Sequence, residues 1–157
     1  MLYLSVLIIF VLLLSLIMLT VRLNLERWDA PERIIAFVWW PVTVYLGWII
    51  VAAVANVTAF LVSAGWDGSL WPEETWANVM IGVAMVIYLL LFYYRNMREA
   101  AFVGIWALIA IAVRHWGNEP GIVWTALLAV GILFISASIQ AWKNRRTLPF
   151  VRKVFSE

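Results

Sequence analysis

The chain consists of long apolar runs separated by short connectors that hold almost all of its charge. A helix needs roughly 20 consecutive apolar residues to cross a bilayer, where only its own carbonyls are available to its backbone N–H groups. Five segments meet or approach that length: residues 2–21, 30–64, 72–94, 99–116 and 121–142, followed by a basic tail at 143–157. The predicted fold class is therefore all-α, a polytopic membrane helical bundle with five transmembrane helices forming a single transmembrane domain. Composition agrees, since 66% of the 157 residues are hydrophobic and 13% charged, where soluble domains have about half and a quarter.

Local signals set the boundaries. The first run has no basic region before it and no small-residue cleavage pattern after it, so it reads as a spanning helix rather than a signal peptide. Asp29, with Glu32 three residues on, predicts the cap of the second helix. Pro41 lies inside that helix, where its ring clashes with the carbonyl of Phe37, and predicts a kink between an interfacial turn and the span. Pro72, Glu73 and Glu74 suit the first turn of the third helix. The fourth is the shortest span, and arginines at both ends can reach the interfaces along their aliphatic stems.

With five crossings, ten of the eleven Lys and Arg residues fall in loops on one side, leaving Arg114 alone on the other. By the positive-inside rule the amino terminus is then outside and the carboxyl terminus cytoplasmic. Nine of the eleven tryptophans fall near the expected interfaces, which amphipathic rings prefer. Trp28, Trp39, Trp40 and Trp142 belong to the cytoplasmic side, and Trp66, Trp71, Trp76, Trp116 and Trp124 to the outer one. Trp48 and Trp106 lie deep within spans and need another explanation.

Pro41, Tyr45, Trp48, Ala52 and Asn56 fall at offsets 0, 4, 7, 11 and 15 on the second helix, within an arc of about 80°. Asn56 would be costly against lipid, so this face is expected to point into the bundle or a cavity. Two readings follow. One is a packing seam with Asn56 as interhelical glue; the other is a pocket in which Tyr45, Trp48, Ala52 and Asn56, with Trp106, hold a flat apolar ligand.

The segment P-V-T-V-Y-L-G-W-I-I-V-A-A-V-A-N, Pro41 to Asn56, resembles the last helix of the translocator-protein / tryptophan-rich sensory protein family at Pro41, Tyr45, Trp48, Ala52 and Asn56. A-F-V-G-I-W-A-L-I-A-I-A-V further resembles a segment found after that helix in longer bacterial members, so the chain is similar to the carboxyl-terminal portion of a long form. The family's proline- and tryptophan-rich early segments have no counterpart here. The resemblance implies a five-helix sensory bundle that binds a porphyrin-like or sterol-like molecule, in a bacterial inner membrane.

Other chemistry is not expected. The spans show no buried acidic residue of the kind proton-coupled transporters use. His115 stands beside Arg114 at an interface, where a structural or solvated role is expected, and no metalloprotease motif, nucleophile elbow or phosphate loop is present. An enzyme is therefore not expected, and the sequence names no cofactor. The expected partners are the lipid bilayer, which the basic tail also contacts, and a porphyrin-like or sterol-like ligand. Self-association into a homo-oligomer stays open, and nucleic acid is not expected. The alternatives to a ligand-binding sensory protein are a structural or assembly subunit and, less favoured, a small-molecule transporter.

Overall fold

The computed structural model describes residues 2–25, 31–65 and 72–143. The expected Asp29 cap, Trp28, Trp66, Trp71 and the tail beyond residue 143 lie outside them. All regular structure among the described residues is helical: α1 (Leu2–Arg22), α2 (Glu32–Ile34), a π-helical turn (Ile35–Trp39), α3 (Trp40–Ser63), α4 (Glu73–Arg95), α5 (Arg98–Arg114) and α6 (Pro120–Lys143). α1, α4, α5 and α6 match their apolar runs to within a few residues at their ends, whereas the run 30–64 is divided among α2, the π-helical turn and α3. Four of the helical segments are long and apolar enough to cross a membrane, and α5, at 17 residues, is the short one.

Pro41 has its effect one turn early. It brings no N–H for the carbonyl of Phe37, and the preceding turn widens so that the Trp40 N–H reaches back five residues to the Ile35 carbonyl. Thr43, fully buried, donates its hydroxyl to the carbonyls of Trp39 (2.9 Å) and Trp40 (3.1 Å). The expected kink is thus a π-helical turn, with a side chain satisfying backbone acceptors at the junction. Trp39 is buried in this junction, whereas Trp40, Trp116, Trp124 and Trp142 are exposed.

Both ends of α4 follow their local chemistry. Pro72 precedes the first turn, where Glu73 and Glu74 face the positive end of the helix dipole. At the other end Asn96 takes the left-handed conformation (φ 59°), and its N–H and that of Met97 close on the carbonyls of Phe92 and Leu91.

The helices alternate in direction. Ser5 meets Asn56 and Tyr3 meets Phe60, so α1 runs antiparallel to α3. Arg95 donates to the Thr20 carbonyl, which puts the ends of α1 and α4 together. Glu74 packs against Gly121, which puts the starts of α4 and α6 together at the opposite end. The chain leaves the first of these ends as α5 and returns as α6, so short α5 still crosses the full bundle. α5 is also central, packed on α6, α3 and α4, while α1 rests on α3 alone among the major helix pairs.

Candidate functional site

Small residues create the site by letting α3 approach the α5 backbone and a ring of α4 pack against α5. Gly47 of α3 lies so close to α5 that a Cβ there would meet the Val103 Cβ at 3.0 Å and the Ala100 Cα at 3.2 Å. Gly104 leaves room for the Tyr88 ring, which a Cβ would meet at 2.6 Å. Tyr88 is buried and donates its hydroxyl to the Gly47 carbonyl at 2.8 Å. This junction of α3, α4 and α5 fixes the register of Trp48, next to Gly47, against Trp106, two residues beyond Gly104.

Outside that junction the two tryptophans pack edge to face, with ring centroids 5.0 Å apart and planes at 72°. They flank an open groove of about 430 Å³ between α3 and α5, lined by Val44, Trp48, Glu99, Phe102, Val103 and Trp106. Trp48 is 40% exposed and Trp106 60% exposed, so both rings present surface to whatever fills the groove. The groove is on the periphery of the bundle and opens sideways rather than into an enclosed cavity.

The residues of the α3 stripe go to different neighbours. Trp48 and Trp106 come together in the groove. Asn56 turns to α1, where its Oδ1 accepts from the Ser5 hydroxyl at 2.5 Å while its Nδ2 donates to the Ala52 carbonyl at 3.0 Å. Ala52 is half-buried beneath that contact. Tyr45 is exposed and does not line the groove.

At Glu99, which is half-buried, the expectation of no buried acidic residue in the spans is only partly met. Glu99 is the second residue of α5, its Oε2 is shut off from solvent, and that oxygen has no hydrogen-bond partner among the described residues. The signal was in the sequence, since Glu99, Phe102, Val103 and Trp106 follow the i, i+3, i+4, i+7 spacing of one helix face. The expected span 99–116 begins at Glu99, but no role was assigned to the residue there. His115, by contrast, pairs with Glu119 (Nδ1 to Oε2, 2.9 Å) across the turn between α5 and α6, the structural role expected of it.

A family model described as TSPO-like protein matches residues 1–139. The chain belongs to the TSPO-like family. That agrees with the resemblance at Pro41 to Asn56, and with four long apolar helices it makes the chain an integral membrane protein. Neither the curated proteins nor the solved structures show a significant match to it.

Proposed function

We propose that this TSPO-like membrane protein is a ligand-binding or sensory protein rather than an enzyme, and that it takes a flat hydrophobic molecule of porphyrin-like or sterol-like shape into the groove between α3 and α5. The observation that carries this reading is the edge-to-face pair of Trp48 and Trp106 flanking an apolar, laterally open groove. Two rings at 72° offer a face and an edge to one planar guest, and such aromatic contacts contribute about 0.5 to 1.5 kcal/mol beyond simple burial. The lateral opening suits a ligand that arrives dissolved in the bilayer.

Titration of the purified protein with protoporphyrin or cholesterol, followed by tryptophan fluorescence, tests the reading. Saturable quenching is expected in the parent, with affinity several-fold weaker in Trp48→Leu. Trp124→Leu removes an exposed tryptophan of α6 away from the groove and should bind like the parent. Equal affinity in all three proteins, or no saturation in the parent, leaves a structural or assembly subunit as the better account. The Asn56–Ser5 bond favours that second reading, because it uses the stripe's amide to join two helices.

The proposed setting is a bacterial inner membrane with the amino terminus outside and the carboxyl terminus cytoplasmic. Support comes from the loop charges and from the fold, which brings the ends that carry Arg22, Arg33, Arg95 and Arg98 to one side and Arg114 to the other. Reporters at the amino terminus and at Gly68 should lie outside and one after Glu157 inside; a cytoplasmic Gly68 overturns the orientation.

A further inference from the structure

The groove contains one charge. Glu99 lies in the first turn of α5 and is half-buried. Its Oε2 is closed to solvent, and among the described residues it has neither a hydrogen-bond donor nor an ion-pair partner. The nearest basic residues along the chain do not supply one. Arg95 is directed to the Thr20 carbonyl, and Arg98, next to Glu99, forms no ion pair among the described residues. That one carboxylate oxygen is shielded from water without a donor, and a cationic group seated in the groove would supply one.

The remaining lining decides what kind of cation fits. Trp48, Phe102 and Trp106 present aromatic surface, and Val44 and Val103 complete an apolar wall. Aromatic faces attract an organic ammonium through the ring quadrupole, and the apolar wall favours a hydrophobic body over a small hydrated ion. Resting on the reading that the groove takes a flat hydrophobic molecule, we infer that it selects a flat hydrophobic amine in its protonated form, with the ammonium on Glu99 and the ring system against Trp48 and Trp106. A molecule that places a carboxylate at that end of the groove meets Glu99 as a like charge and is disfavoured.

The test uses two flat probes of nearly equal shape, proflavine, which is cationic, and acridine, which is neutral at mildly alkaline pH. Binding is measured by equilibrium dialysis against protein-free micelles of a maltoside detergent, which carries neither charge nor amine. The parent should bind proflavine about tenfold more tightly than acridine. Glu99→Gln should remove that preference, and Glu99→Asp, which keeps the charge on a shorter stem, should retain part of it. Equal affinity of the parent for both probes, or a preference that persists in Glu99→Gln, overturns the role of Glu99. In either case the groove reading survives provided that Trp48→Leu weakens both probes. Absence of saturable binding by either probe removes both. Displacement of proflavine by added phosphatidylethanolamine would make the occupant a lipid headgroup ammonium and overturn the assignment to a free amine.

Discussion

The helices α1 and α5 reverse the order in which their sequences rank them. α1 is the most apolar of the candidate spans and α5 the one too short to qualify. Yet among the described side chains of α1 only Leu16 and Thr20 are buried, whereas eight of the seventeen residues of α5 are. In a bilayer, hydropathy marks contact with lipid and says little about contact with protein, because lipid tails are as apolar as leucine. Close helix packing instead needs small residues, and α5 buries Ala100, Ala101, Gly104, Ala107 and Ala112. α6 answers with Ala126, Ala129 and Ala137.

The largest effect that would break this contrast belongs to α5. Gly104→Leu drives a side chain into the Tyr88 ring, and overpacking of this size costs about 3 kcal/mol; the variant should fail to elute as a monodisperse peak in detergent. A normal elution profile and melting temperature would show that the central position of α5 carries little energy. Next comes Tyr88→Phe, which removes the hydroxyl from the Gly47 carbonyl. Its thermal stability should drop by about 0.6 to 1.7 kcal/mol, the span measured for hydrogen bonds between membrane helices.

The α1 contact should matter less. Asn56→Leu loses the bond to Ser5, and Ser5→Ala should reproduce the loss, at about 0.6 kcal/mol. Thr58→Leu is the comparison, since Thr58 is exposed and bonds only to the Val54 carbonyl of its own helix. Equal melting of the Asn56 and Thr58 variants would remove α1 docking as a contributor to stability. Smallest of all is Leu7→Ala on the exposed face of α1. Chemical unfolding should find it within about 0.5 kcal/mol of the parent, and a larger loss would mean that this face is covered in the membrane by another copy or a partner.

The helical runs and several of their ends were legible in the sequence because they follow from local rules. Pro72 with two glutamates starts α4, and Pro41 disturbs the helix that contains it. The candidate site was only partly legible. Trp48 and Trp106 stood out as tryptophans that an interfacial belt does not explain, and the fold brings them to 5.0 Å. Asn56 shares their stripe by spacing, but the serine that claims it is 51 residues away. Glu99 was legible only as the first residue of the fourth span, because nothing local shows what packs beside it. Only the approach of α3 at Gly47 turns it into the wall of a groove.

By itself the sequence determined that this chain is a bundle of apolar helices and where most of them begin and end, since backbone hydrogen bonding in lipid and the chemistry of helix ends are local. It did not determine which face of each helix meets protein. α1 is apolar along most of its length, and its Ser and Thr residues divide between faces, Ser5 and Thr20 inward and Ser15 exposed, so polarity marks its inward seam only weakly. Tertiary structure decided that choice, because in a bilayer the partners of a helix are selected by shape and by a few hydrogen bonds between residues far apart in the chain.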